Sequence, residues 1–307
     1  MSTYSICLNA NVQNANAFNG YVNGFSTPLT VIGFCEYLKL ELLKILKLNE
    51  SIYEELEDYN PDYPADSFSY AKVSKVFYGF CGNTFTLHKG HERFIPYMKS
   101  HDLFQRGSKT QAANAPVTDT KRFSSDFFVC FELKFDLDTE PTMSQLQDSL
   151  YNILQSSNFS GGKIFNVYKH RILINESSIS YNAEPILKFL IRSHNDWFTI
   201  IPANEINLRN EHAEPFENLI QNIKRPKRKK DNTNIYKPYY MPTIVGYRYL
   251  TELREPSGQY NYKNVLAEPM LSVVRCSSLK RIKDSAISEC LWSLSQNQNY
   301  IQAINNQ

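Results

Sequence analysis

The chain has 307 residues, with Lys+Arg 33 against Asp+Glu 31, so its formal net charge is only +2. That near-neutrality excludes a surface that is basic throughout and leaves room only for local basic patches. Hydrophobic residues make up 42% and charged residues 21%, the balance of a folded globular chain rather than a disordered one.

No run nears the roughly 18 uncharged apolar residues that a membrane span needs. No charged segment leads into an apolar one at the N-terminus, so neither secretion nor membrane insertion is expected. Cys7, Cys35, Cys81, Cys130, Cys276 and Cys290 are scattered without CxxC spacing, which fits a reduced, cytoplasmic setting. Tyr 20 and Phe 19 are the compositional outliers; such rings fill cores and also stack on unpaired bases.

In chain order, Tyr4 to Asn9 alternates as a short strand, with Ile6 and Leu8 on one face and Cys7 on the other. Thr27 is a helix N-cap, followed by Pro28 where a missing N–H costs nothing, and the helix runs toward Leu48. Its charges Glu36, Lys39, Lys44 and Lys47 lie near one narrow stripe, which predicts a largely buried helix. Lys72 to Tyr78 is a strand that Phe85 to Leu87 continues after a break at Gly79–Gly82. A polar stretch from about Lys89 to Arg122 follows, long enough to be a functional insertion.

Phe127 to Leu137 is the clearest strand, with Phe127, Val129, Phe131, Leu133, Phe135 and Leu137 on one face and Glu132, Lys134 and Asp136 opposite. Thr142 caps a second helix carrying Met143, Leu146, Leu150, Ile153 and Leu154. Gly161-Gly162 then opens a strand from Lys163 to Val167.

This strand–helix–strand–strand–helix–strand order predicts an α+β fold, a ferredoxin-like βαββαβ core spanning 1–175 with a basic insertion at 89–122. A less regular part, 176–307, shares that core. It holds a helix at Pro185 to Arg192 and strands at Trp197 to Ile201, Tyr240 to Tyr249 and Leu266 to Arg275. A basic loop at 210–238 and a C-terminal helix through Ile287, Leu291 and Leu294 complete it.

For catalysis the residues offer little. His88, His91, His101, His170, His194 and His212 match no nucleophile or metal spacing, and no GxSxG or Walker-type loop is present. His88 and His91 with Cys81 supply three metal ligands, but zinc sites favour four in paired spacing, and loop histidines are the plainer reading. No catalytic residue, metal or cofactor is expected.

The run Lys224-Arg225-Pro226-Lys227-Arg228-Lys229-Lys230 repels itself, so it is either solvated as a surface loop or neutralised by phosphates. Gly161-Gly162-Lys163 is either a helix stop and turn, or a place where an RNA backbone approaches closely while Lys163 meets a phosphate.

With these elements in place the chain resembles the RAMP superfamily of CRISPR proteins, recognised by an RRM-type core with a glycine-rich loop after its second helix. More closely, it is similar to the second Csy subunit of the type I-F surveillance complex. The resemblance is carried by Val12-Gln13-Asn14-Ala15-Asn16-Ala17, Gly24-Phe25 and Gly33-Phe34, then by Phe159-Ser160-Gly161-Gly162-Lys163-Ile164. It extends to Pro242-Thr243-Ile244-Val245-Gly246-Tyr247 and Leu291-Trp292. The chain departs from that family at Thr118-Asp119-Thr120-Lys121, where paired glutamates are preferred before the Arg.

The resemblance implies a non-catalytic Cascade subunit that caps the 5′ handle of the crRNA or repeats along it. Its implied partners are crRNA, other Cascade subunits, further copies of itself and, in the assembled complex, target DNA, with no membrane. The RNA-contacting set nominated from residues and resemblance together starts with Asn14, Asn16, Phe25, Lys72 and Lys75. It continues through His88, Lys89, Arg93, Lys109 and Arg122 to Gly161, Gly162 and Lys163, and ends on Lys224, Arg225, Lys227, Arg228, Lys229 and Lys230. The alternative is a metal-independent ribonuclease that trims precursor crRNA, with His88, His91 or His170 as general base near a 2′-hydroxyl.

If about three side chains of the Lys224–Lys230 run contact phosphate, changing its cations to Gln lowers the slope of log affinity against log salt by roughly two to three units. Binding titrations over a salt series measure this; an unchanged slope means the charges face only water.

Overall fold

A computed structural model describes residues 2–17, 25–46, 71–89, 121–135, 141–203, 239–252 and 265–305. Along the chain, β1 (Ser2–Asn16), α1 (Pro28–Ile45), β2 (Ala71–Cys81), β3 (Thr86–Lys89) and β4 (Lys121–Phe135) come first. Next are α2 (Met143–Ser156), β5 (Asn158–Phe159), β6 (Gly162–Phe165), a 3-10 turn (Lys169–Arg171) and β7 (Ile172–Asn175). The remainder holds α3 (Ala183–Ser193), β8 (Trp197–Pro202), β9 (Tyr239–Tyr249) and β10 (Ala267–Ser278). Two more 3-10 turns (Leu279–Arg281, Asp284–Cys290), β11 (Ser293–Gln296) and β12 (Tyr300–Ile304) close it.

The helix starts follow from local chemistry. The Thr27 hydroxyl accepts the Thr30 N–H at 3.2 Å, and Pro28 occupies the first turn of α1. Thr142 and Gln145 form a reciprocal capping box that starts α2.

The expected small ferredoxin-like core is overturned. All twelve described strands belong to one large sheet, in the order β11-β12-β9-β10-β8-β2-β4-β1-β6-β5, with β3 on β4 and β7 on β1. Every pairing is antiparallel, and three α-helices are present among the described residues.

The part expected to be less regular in fact extends the sheet. β8 adds to β2 through Gly79↔Thr199 to Cys81↔Trp197, and β10 and β9 follow with long ladders. Local periodicity could not show this, because a sheet edge that goes on accepting strands looks the same in sequence as one that stops. The expected C-terminal helix is also corrected: its segment is the 3-10 turn Asp284–Cys290 followed by β11. Ile287 and Leu291 bury equally well from a single tight turn, and Trp292 bridges Val76 with two backbone bonds of 2.7 Å.

β4 is the centre. Its pairing with β1 runs from Ser2↔Phe135 to Asn16↔Arg122, and β2 followed by β3 lines its other side. Phe127, Val129, Phe131, Leu133 and Phe135 join the core under α1 and α2, while Phe128 and Cys130 face a second core under α3 and the 3-10 turns. Each such buried ring is worth roughly 1.5–3 kcal/mol over an exposed one. Cys7 and Cys130, opposite one another in register, are disulfide-linked, where the scattered spacing had suggested free thiols. Cross-strand register, not sequence spacing, brings the sulfurs together.

Glu132 is the most deeply buried charged residue on β4. Only 2% exposed, its carboxylate accepts the Ser74 hydroxyl and the Ile179 N–H, both at 2.9 Å, which ties β2 and the approach to α3 to the central strand. Glu132→Ala leaves that N–H buried without a partner, and is expected to cost about 2–3 kcal/mol in urea denaturation. Glu132→Asp, which keeps the charge, is expected to lose less.

Candidate nucleic-acid interface

The sheet face that the expected fold would offer to RNA is covered. Phe77, Phe128 and Trp197 lie on the face away from α1 and α2, and all are at most 1% exposed beneath Ile186, Leu187 and Leu190 of α3. Rings in that position cannot stack on bases. Among the described residues, one accessible corner lies where the end of β1, the start of β4 and the β5–β6 hairpin converge.

That corner is built from backbone irregularities. The β1–β4 register slips between Val12 and Ala15, and Asn14 sits within the slip at φ 59°. The Asn14 N–H is held by the Ser124 hydroxyl at 3.2 Å, and its carbonyl accepts from Arg122 Nη1 at 3.2 Å. The Asn16 N–H donates to the Ser160 carbonyl at 2.8 Å, and the Ser160 hydroxyl returns a bond to the Asn16 carbonyl at 3.3 Å.

Ser160 and Gly161 are the two residues of the β5–β6 turn, at φ 50° and 73°, so the glycine-rich segment is a hairpin turn whose twist needs positive φ at both positions. Arg122 is half-buried, and Asn14, Asn16, Gly161 and Lys163 are exposed. In register, His88 opposes Arg122 and Lys89 opposes Lys121 across β3–β4.

The structure therefore brings together Asn14, Asn16, His88, Lys89, Arg122, Gly161, Gly162 and Lys163. The two glycines have different jobs. A Cβ on Gly162 would lie 2.5 Å from the Ala15 backbone nitrogen and 2.6 Å from the Gln13 carbonyl, so Gly162 makes room for β1, not for a ligand. A Cβ on Gly161 would meet only Arg122 Nη1 at 3.8 Å, and the turn there faces outward.

Other nominated residues lie elsewhere. Lys72 opposes Lys134, twelve positions along β4 from Arg122 and so roughly 40 Å away, with Lys75 close by. Phe25 stacks on Phe80 with centroids 5.3 Å apart and packs on Phe85 and Phe198, so its ring is engaged in the core. Arg93, Lys109 and the run Lys224, Arg225, Lys227, Arg228, Lys229 and Lys230 lie outside the described residues, as do most of the 89–122 insertion and the 210–238 loop.

Residues outside the nominated RNA-contacting set, His170 of the ribonuclease alternative among them, extend the corner. β6 and β7 pair in tandem with the same edge of β1, which sets the Asn166–Arg171 connection beside Lys163. There the exposed Tyr168 ring stacks on His170, centroids 5.4 Å apart, with the Arg171 guanidinium 5.3 Å from the Tyr168 ring centre. Lys163 lies over Phe165, and Lys169 pairs with Asp148 at 2.6 Å. The signal was present as Tyr168-Lys169-His170-Arg171, an aromatic among cations, but four residues have no periodicity to single them out.

No protein-family model matches the chain, and no curated protein is detectably similar to it. No described helix is long and apolar enough to cross a membrane.

Gly162→Ala is expected to destabilise by about 3 kcal/mol, because backbone must move. Gly161→Ala is expected to cost only about 1 kcal/mol, the strain of a left-handed alanine. Urea midpoints of the two variants test the assignment, and equal losses would contradict it.

Proposed function

We propose that the chain is a non-catalytic RNA-binding subunit that holds crRNA in a type I-F CRISPR surveillance complex, as a cap on the 5′ handle or as a repeated unit along the guide. The class of RNA and the complex rest on the sequence resemblance. The binding region rests on the corner around the Ser160-Gly161 turn, with Arg122 and Lys163, and on the β6–β7 edge of β1 that leads from it to Arg171 and the exposed Tyr168–His170 stack.

The physical case is one of access. Single-stranded RNA is held by cations that follow its phosphates and by flat groups that stack on its bases. On this chain the large rings of the sheet face lie beneath α3, so a strand tracks the corner and the β6–β7 edge. Sequence is read by pairing between guide and target, and the protein holds backbone shape, as RNA-guided effectors do. Other Cascade subunits, further copies and target DNA are the partners of such an assembly.

The observation carrying this reading is the convergence of separately nominated residues from β1, β3, β4 and β6 on one corner. The experiment is expression with the neighbouring operon, then measurement of copurifying RNA and of affinity for it over a salt series. A defined short RNA is expected with the wild-type chain. The combination Arg122→Gln, Lys163→Gln and Arg171→Gln is expected to lower the salt slope by about two units, at roughly 0.7 per lost contact on single strands. A folded chain that carries no RNA at low salt refutes the reading. Cleavage of repeat RNA in EDTA would instead identify the ribonuclease.

A further inference from the structure

We infer that Cys81, Asp126 and His194 form a binding site for a thiophilic divalent metal of the zinc type, which fastens α3 to the sheet. The inference does not depend on the RNA reading. The three residues come from the end of β2, the middle of β4 and the C-terminal cap of α3, and their Sγ, carboxylate and imidazole atoms all lie within 4.8 Å of one another. Tetrahedral zinc with sulfur, nitrogen and oxygen ligands sets neighbouring donors roughly 3.3–3.6 Å apart, so closure around an ion needs a contraction of about 1 Å.

Each donor is placed by its own local structure. Cys81 is 1% exposed, and the turn after it brings the Thr84 hydroxyl onto the Asp126 N–H at 2.9 Å. Asp126 is 8% exposed and opposes Asn11 in the ladder. His194 ends α3, its ring edge against Trp197 with centroids 4.9 Å apart. Asp196, two residues on, accepts the Cys81 thiol at 3.2 Å on Oδ1 and the Asn83 N–H at 2.5 Å on Oδ2.

Two observations separate this cluster from an ordinary polar contact. His194 Nε2 is buried with no hydrogen-bond partner, and Asp126 Oδ2, its nearest carboxylate oxygen, is 3.6 Å away, too far for a hydrogen bond. A buried imidazole nitrogen without a partner is costly, and a shared cation removes that cost. The donor set is also chemically selective: thiolate with imidazole and carboxylate suits zinc, whereas magnesium and calcium take oxygen ligands. The position favours a cation further, because the C-terminal end of a helix carries partial negative charge. Burial and the Asp196 hydrogen bond both push the Cys81 thiol up, so metal entry must release its proton.

The test uses purified full-length chain, titrated with zinc and with cobalt(II) in a non-chelating buffer. One equivalent should bind, with a thiolate-to-cobalt charge-transfer band and tetrahedral d–d bands, and the thermal midpoint should rise. Cys81→Ser and His194→Ala should each abolish the band or weaken zinc by at least about 10-fold, the lower bound set by losses of mere supporting groups. Cys290→Ser, in a buried thiol elsewhere, should keep band and affinity, and magnesium should not raise the midpoint. Should Cys81→Ser fail to fold, Asp126→Asn provides the same readout. A cobalt spectrum without thiolate character, or one that survives in Cys81→Ser, overturns the inference, as does stabilisation by magnesium equal to that by zinc.

Discussion

β4 is buried on both faces, and that constraint organises the rest of the molecule. A strand with Phe127, Val129, Phe131 and Leu133 on one side and Phe128 and Cys130 on the other, all fully buried, needs a cover on each side. α1 and α2 supply one cover, and α3 with the 3-10 turns supplies the other. Glu132 cannot be buried there unless its charge is bonded; Ser74 of β2 supplies one bond, and the Ile179 N–H, on the approach to α3, supplies the other. The hydrophobic requirement and the polar one therefore select the same second layer.

That second layer covers Phe77, Phe128 and Trp197, while the corner where β1, β4 and the β5–β6 hairpin meet stays accessible. The corner carries the slipped register at Asn14 and the positive-φ turn at Ser160-Gly161. Both irregularities are bonded in place: the turn carbonyl receives the Asn16 N–H, and Arg122 of β4 holds the Asn14 carbonyl. Such departures from regular pairing cluster where a surface is shaped for something other than packing.

The cysteine–aspartate–histidine cluster comes from the same layering. α3 crosses the sheet and ends over the β2–β4 ladder, so the cap residue His194 meets Cys81 and Asp126. The sequence pairing of Cys81 with His88 and His91 looked along the chain for ligands that the sheet brings from across it. In β3 the His88 backbone instead pairs with Arg122, near the Asn14 and Ser160 corner.

Much was legible in the residues alone. Period-two alternation located β1 and β4, and Thr27-Pro28 and Thr142 marked the starts of α1 and α2, because caps and alternation are written within a few neighbouring positions. Gly161 and Lys163 were candidates by residue type at a turn, Arg122 by its place at the end of the basic insertion, and Asn14 through the family resemblance. What only the tertiary structure decided was how many strands share the sheet, which face is covered, and which residues distant in sequence become neighbours. Those depend on ladders such as Gly79↔Thr199 and Cys7↔Cys130, whose partners lie far apart along the chain. Side-chain pattern tells a strand which face is buried, but its edge hydrogen bonds are the same for every partner, so the choice of neighbour is made by the packing of the whole chain.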